Sequence, residues 1–451
     1  MSVNSEKAYL VAVIGAGPAG LYAAQHLARN GVHVVLFNRD IKPGGLAEYG
    51  IFPDKLKMRT GLMAQFNRIL AMPTVRYQGN VTIGQSGDLK LDQLRAAGFQ
   101  ALMITTGAQE KNWLGLPGED LAGVYRANEI VFHYNQLPGY TDQPPEFGQH
   151  VAVIGAGNVM LDIVNYLKCN HRPCTVTAYA RRGPAQVKFD KPTLEPVAGC
   201  LDLAAVDAAV RVANAATAGV GGNVEDLLRM LAEAYARSVD CDSGLVFRMA
   251  FLRSPRRLIG DESGRVKGIT FEINELVVEG ENVVARGTGK METVSADTVI
   301  FSIGSQVDAG FGLPVSSGNF VTTTKPRFPI DGISYEVYNP DLCAHCEDIF
   351  VSGWARLASE GIVGLARKDA ERGAKAVLNY LETIGPIPID MIDDALDRLP
   401  KLDKRVVDRA DLEILGDAER KIAAQQGAPA FKFDSNAAML DAIEKGSINE
   451  Y

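Results

Sequence analysis

Gly15-Ala-Gly17-Pro18-Ala19-Gly20 has the spacing of a turn that holds the pyrophosphate of a dinucleotide. Each glycine has a steric task. Gly15 allows the tight turn, Gly17 lets phosphate approach the backbone, and Gly20 lets helix and strand pack closely. The helix opening at Pro18 and Ala19 turns free N–H groups and its dipole toward the phosphate charge. A second turn, Gly155-Ala-Gly157-Asn158-Val159-Met160, keeps the first two glycines and lacks the third. Arg181 and Arg182 follow the strand after it. Guanidinium groups there fit a ribose 2′-phosphate, whereas an acid would select the free diol, so this turn reads as an NADP site. At the matching place in the first copy stands Asn38, which can donate to and accept from ribose hydroxyls.

Six cysteines offer a different chemistry. Only Cys343-Ala-His345-Cys346 forms a CxxC pair, and no second pair completes a four-ligand cluster. Three readings remain open: two loop cysteines before a strand at Ile349–Ser352, a redox dithiol, or a metal site with His345 as third ligand. No metal is assigned, and no nucleophile–base constellation stands out. The 54 acidic against 46 basic residues argue against nonspecific nucleic-acid binding. No apolar run is long enough for a membrane span, and the polar N-terminus has no apolar signal core, so the expected location is the cytoplasm.

The turns need elements to position them. Tyr9–Ile14 is apolar throughout, as a parallel strand buried on both faces would be. An alanine-rich helical stretch runs to Asn30, Gly31 suits its C-cap, and Val32–Phe37 returns as a second strand. Val151–Ile154, a helix to about Lys168 and Thr175–Ala180 repeat the unit. Strands running into Gly107 and Gly304 mark where the chain leaves one domain and re-enters it. Asp202–Arg237 reads as helices broken near Gly219–Gly222, and Asp261–Gly264 as a hairpin turn. The glycine content, 45 of 451 residues, has part of its explanation in these turns.

Two dinucleotide sites in one chain imply relay between two cofactors, with a flavin in the first and NADPH in the second. The residues that carry this reading resemble the adrenodoxin reductase-like family of NADPH–ferredoxin reductases. The landmarks are Val13–Gly20, Tyr49–Asp54, Gly79-Asn-Val81, Gly155–Val159 with Asp162, Arg181–Gln186, Phe251–Pro255 and Ser352-Gly-Trp354. The resemblance implies an α/β fold of two Rossmann-like domains, the NADP domain inserted into the FAD domain. The expected spans are 1–108 and 319–451 for FAD, the latter with a C-terminal extension, and 109–318 for NADP. It implies an FAD-dependent ferredoxin–NADP reductase whose partner is a ferredoxin-type iron–sulfur protein. Leu46 and Val81 would contact FAD, with Arg39, Gly45 and Gly107 beside them. Trp354, Gly361, Ile362 and Val363 would meet the flavin ring, Gly361 also lying near the nicotinamide. Asp162 would face the flavin region. Trp354, Gly361 and Asp162 are therefore the expected catalytic set.

The sequence also departs from the family. Asn38 replaces its ribose-binding Glu, Lys55 stands where mammalian members have a His, and Thr193 replaces a Glu near NADP. The segment Glu225–Arg237 carries few of the basic residues that would dock an acidic ferredoxin. Rival readings are a flavoprotein resembling the glutamate synthase small chain, a disulfide reductase using Cys343 and Cys346, and a nucleotide-sensing protein without turnover. Chains of the first kind carry a cysteine-rich N-terminal cluster domain, and that no cysteine precedes Cys169 counts against that reading.

Overall fold

The computed structural model describes residues 7–110, 112–170, 174–216, 220, 222–238, 241, 243–358 and 363–448. The chain is an α/β protein that divides into two compact units, one inserted in the sequence of the other. The first comprises residues up to 111, 134–141 and 304 onward; the second comprises 112–133 and 142–303.

The first unit is built on a seven-stranded sheet. Its order is Glu336–Asn339, Ala344–Val351, Ala101–Ile104, Lys7–Ile14, Val32–Phe37 and Val75–Gln78, with Ile387–Pro388 pairing the start of Lys7–Ile14. The strands from Ala344–Val351 to Val75–Gln78 run parallel. The apolar run of the first strand follows from burial on both faces. Val11 and Val13 pack with helices Pro18–Arg29, Leu56–Leu70 and Val363–Ile384, while Leu10, Ala12 and Ile14 enter a second cluster with Leu94, Phe311 and Ile392. The helix Pro18–Arg29 stops at Asn30, and Gly31 takes the left-handed conformation at φ +77° that releases the chain into its strand.

Residues 304–318, expected in the second domain, pack in the first. Val307, Phe311 and Leu313 join the core cluster of Ile83 and Leu89, and Gln306 pairs with Glu110. Their apolar positions follow no helical or strand period, so packing alone assigns them.

The second unit holds a five-stranded parallel sheet in the order Val124–Arg126, Thr298–Phe301, His150–Ile154, Thr175–Ala180, Val246–Phe251. A three-stranded antiparallel sheet of Arg253–Gly260, Val266–Glu279 and Asn282–Ser295 packs on it through Leu258, Ile269 and Phe271. The Phe271 ring stacks on Tyr179 with centroids 4.4 Å apart. Helices Leu203–Ala216 and Glu225–Ala236 occupy the alanine-rich segment. A disulfide between Cys200 and Cys241, with Cα atoms 5.0 Å apart, spans them. The spacing of the cysteines alone had not marked these two as partners. Among the described residues, no helix is long and apolar enough to cross a membrane.

Candidate functional site

The first glycine turn is built as its spacing requires. Gly15 sits at φ +105°, and a Cβ there would lie 2.6 Å from the Thr105 carbonyl oxygen. A Cβ on Gly20 would overlap the Gly15 carbonyl oxygen. At Gly17 a Cβ would meet nothing within 4 Å, so that face of the turn is open to an incoming group. Pro18 opens the helix, with Gly17 as its N-cap in extended backbone and no side-chain cap, leaving the first N–H groups to an external acceptor.

Three other segments close on this turn. Gly45 approaches until its Cβ would lie 3.1 Å from the Gly17 Cα, and the Gly44 N–H donates to the Ala16 carbonyl at 2.7 Å. Gly45 then caps the short helix Leu46–Tyr49, placing Leu46 at the rim. The Ser352–Ala355 turn arrives from the end of Ala344–Val351, and a Gly353 Cβ would come within 2.5 Å of Ala19. Trp354, next in the chain, is half-buried against the apolar cluster that holds Ile14, Val351 and Ala355. Gly107, at φ +71°, follows the neighbouring strand. The Thr105 hydroxyl donates toward the Gly15 carbonyl at 2.8 Å and locks the turn. Nothing local in the sequence marks this threonine, because its partner lies on another strand.

Asn38 is 7 % exposed and faces inward. Its Oδ1 accepts from the Ala16 N–H at 2.9 Å, and its Nδ2 has the Asp40 and Lys42 carbonyls and the Tyr77 hydroxyl as partners. The amide thus ties the glycine turn to the loop after the second strand. The Val81 N–H donates to the Asn38 carbonyl, and the Val81 side chain is buried. Exposed Arg39 reaches Asp40 and Gln109. Beside it opens a polar cavity of about 350 Å³, lined by Arg39, Asp40, Asn80, Thr82, Tyr140 and Lys404.

Two charge clusters hold these segments. The Asp369 carboxylate accepts from the Gly353 N–H at 2.7 Å, from Arg356 and from the Tyr335 hydroxyl, tying the Trp354 turn to the helix Val363–Ile384. Glu48, buried under the Leu46–Tyr49 helix, meets Lys42 at 3.0 Å and Lys432 at 3.1 Å. Burial opposes the Glu48 charge, but the two ammonium groups outweigh it and hold its carboxyl below the usual range. Desolvation pulls Lys432 down to about 8, so it remains cationic at neutral pH. Neither cluster was visible in the sequence. Val363 begins its helix, whereas Gly361 and Ile362 lie outside the described residues.

The second turn repeats the geometry. Gly155 sits at φ +132°, a Cβ there would overlap the Ser302 carbonyl, and Gly157 has open space above it. Asn158 exchanges hydrogen bonds with Asp190, Nδ2 to Oδ2 at 2.8 Å and Oδ1 from the Asp190 N–H at 2.9 Å. Asp190 in turn accepts from the Thr193 N–H and hydroxyl. Val159 is exposed at the first helical turn, and Asp162, one turn on, is half-buried. Arg181 is exposed and Arg182 half-buried, and neither has an ion-pair partner among the described residues. Their carbonyls accept from Asn274 Nδ2 at 2.7 Å and the Leu252 N–H at 3.1 Å, which fixes the backbone beneath two free guanidinium groups.

The CxxC pair is less suggestive. Cys343 is exposed in the turn before Ala344–Val351, and Cys346 already lies within that strand, half-buried against the apolar cluster. Burial pushes the Cys346 thiol up, away from the reactive thiolate. No metal-binding group of His, Cys, Asp and Glu occurs among the described residues.

Comparison with known proteins matches residues 9–189 to the pyridine nucleotide-disulphide oxidoreductase family. The chain is 27 % identical to the mouse mitochondrial NADPH:adrenodoxin oxidoreductase over 97 % of its own length and 92 % of that protein's. It is also 27 % identical to NADPH-ferredoxin reductase FprA of Mycobacterium tuberculosis H37Rv, covering 96 % and 98 %. The chain is thus similar to adrenodoxin reductase-like proteins over nearly its whole length. The solved structure of M. tuberculosis FprA in complex with NADPH superposes on this chain with a TM-score of 0.79 at 25 % identity, covering 98 % of this chain and all of that one. The likeness thus extends through the C-terminal helices, well past the matched family segment.

Proposed function

We propose that the protein is an FAD-dependent reductase that takes electrons from NADPH and passes them singly to a ferredoxin-type iron–sulfur protein. One NADPH and two oxidised acceptors give NADP⁺, two reduced acceptors and one proton. The observation that carries this reading is the pair of glycine turns, each with open space where a phosphate would approach, in a chain that matches such reductases end to end.

FAD fits the first unit. The open face at Gly17 and the uncapped helix at Pro18 suit its pyrophosphate. Gly45 and Leu46 border the same turn, Gly353 meets it just ahead of Trp354, and the start of the helix at Val363 is held to the Trp354 turn by Asp369. The cavity beside Arg39 and Val81 offers space for the adenosine end. Because both Asn38 amide hydrogens are committed within the protein, its part is to hold the turn in shape. FAD supplies the conversion of a two-electron hydride donor into a one-electron source.

NADPH fits the second unit. Gly155, Gly157 and the backbone at Asn158 and Val159 would receive its pyrophosphate, and Arg181 and Arg182 its 2′-phosphate. Asn158 and Thr193 shape the neighbouring loop through Asp190. Hydride transfer depends on near-contact alignment, so the residues proposed to set it, Trp354, Gly361 and Asp162, act by positioning rather than as acid or base. The need for NADPH favours a location inside the cell, where that nucleotide is supplied.

Steady-state reduction of a purified ferredoxin with NADPH and NADH in parallel tests the reading. Efficient turnover with NADPH and poor turnover with NADH is the expected result. Absence of ferredoxin reduction with either would overturn it.

A further inference from the structure

The Cys200–Cys241 disulfide has no part in the electron path, yet it sits in a chain whose proposed reaction runs where NADPH is supplied. Thiol buffers inside cells keep cysteines reduced, and the disulfides that form there are usually transient, catalytic or redox-sensing. The position of this one gives it something to act on. Cys200 ends the short helix Glu195–Cys200, which directly follows Lys191–Leu194. Asp190, at the head of both, exchanges two hydrogen bonds with Asn158 at the second glycine turn and holds Thr193. Helix Glu225–Ala236 lies against both short helices and against Pro184–Gln186, the turn that follows Arg181 and Arg182. It therefore backs the whole segment from the two arginines to Thr193. Two ion pairs fasten it there, Lys191 to Glu233 at 2.6 Å and Arg237, just past its end, to Glu195 at 3.8 Å. Their side chains are partly exposed, and such pairs hold weakly. The disulfide adds a covalent link between Cys241, a few residues beyond the helix, and Cys200 in the segment it backs.

We propose that this disulfide is a redox latch on the NADPH site. Closed, it holds the backing helix in place and the nucleotide binds tightly; opened by a dithiol reductant, it lets the helix loosen and affinity falls. The inference rests on the assignment of the nucleotide to the second unit. Cys241 is half-buried and Cys200 buried, so a reductant thiolate attacks the Cys241 sulfur. Cys200 leaves as a thiolate and takes a proton. The second thiol of the reductant then displaces Cys241, which also takes a proton. Two electrons and two protons have passed to the protein, and the reductant is left as a disulfide. The freed Cys241 thiol has an acceptor at hand in the Leu245 carbonyl, 3.4 Å from its sulfur.

The test titrates NADP⁺ calorimetrically into the flavin-loaded full chain as oxidised wild type, as wild type reduced with dithiothreitol, and as Cys241→Ser. Alkylation after unfolding should count four thiols in the first sample and six in the second. Reduction should raise the Kd for NADP⁺ by about tenfold. Cys241→Ser should bind as weakly as reduced wild type and ignore dithiothreitol. Linkage makes the effect reciprocal, which needs no variant to fold. Saturating NADP⁺ should make the disulfide about tenfold harder to reduce, a shift of about 30 mV for a two-electron couple, read in dithiothreitol or glutathione redox buffers. A disulfide that only stiffens the fold would lower the melting temperature when opened and move neither quantity. Equal Kd in both forms, a midpoint that NADP⁺ does not move, or six thiols persisting under oxidised glutathione would overturn the latch and leave the NADPH site standing. Failure of both forms to bind NADP⁺ would sink the latch and the site together.

Discussion

Replacing Arg181 and Arg182 together by alanine tests the proposed contact with the 2′-phosphate. The backbone beneath them is held by Asn274 and Leu252 through carbonyls that alanine retains, so the loss is confined to the two side chains. Neither side chain is committed to an ion pair among the described residues, so no buried partner is orphaned. A hydrogen bond to a charged group contributes roughly 1.5–3 kcal/mol, and the exposure of Arg181 favours the lower figure. Two such contacts amount to about 3 kcal/mol, or about a hundredfold in affinity for NADPH. NADH lacks the phosphate and should shift by less than about twofold. Steady-state kinetics with ferricyanide as acceptor reads both. The KM for NADPH should rise while kcat stays close to wild type, the pattern of lost uniform binding. Equal changes with NADPH and NADH, or no change with either, would refute the assignment of these arginines.

Two alanines at the first turn should fail in different ways. Gly20→Ala drives a methyl group into the Gly15 carbonyl and should lower the melting temperature, whereas Gly17→Ala meets open space and should fold normally but retain less flavin, as melting curves and absorbance of purified samples would show. Asp369→Asn should loosen the Trp354 turn, altering the flavin spectrum and lowering the melting temperature; an unchanged spectrum would detach this carboxylate from the site. Glu48 has a carboxyl pKa lowered in the fold, so its stabilisation is present above the unfolded value of about 4.5 and is lost as pH falls through the folded value. Glu48→Gln should therefore destabilise at pH 7, with the gap to wild type closing in acid; a gap that persists unchanged below pH 4 would contradict this. Replacing Cys343 and Cys346 together by serine should leave NADPH-dependent ferredoxin reduction unaltered, and lost turnover would revive the dithiol reading.

The two glycine turns were legible because their backbone demands are written within six consecutive residues. Glycine is needed where φ is positive or a carbonyl lies against Cα, and Gly15, Gly20 and Gly155 meet those conditions. The parallel strands were legible for a related reason, since burial on both faces leaves an unbroken apolar run such as Tyr9–Ile14. What escaped depends on residues far apart in sequence. Thr105 locks Gly15 from another strand, and Asp369 reaches Gly353 from the next helix. Lys432 joins Glu48 from the C-terminal segment. The inward turn of Asn38 escaped for another reason: its position suggested a ligand, but the short amide finds four partners within the protein first.

The most direct test of NADPH-to-ferredoxin relay is an anaerobic absorbance titration of the purified holoprotein. One equivalent of NADPH should bleach the yellow flavin band, and about two equivalents of oxidised ferredoxin should restore it, as two one-electron transfers per hydride require. A sample without flavin, or a band that NADPH bleaches and ferredoxin fails to restore, would contradict the account.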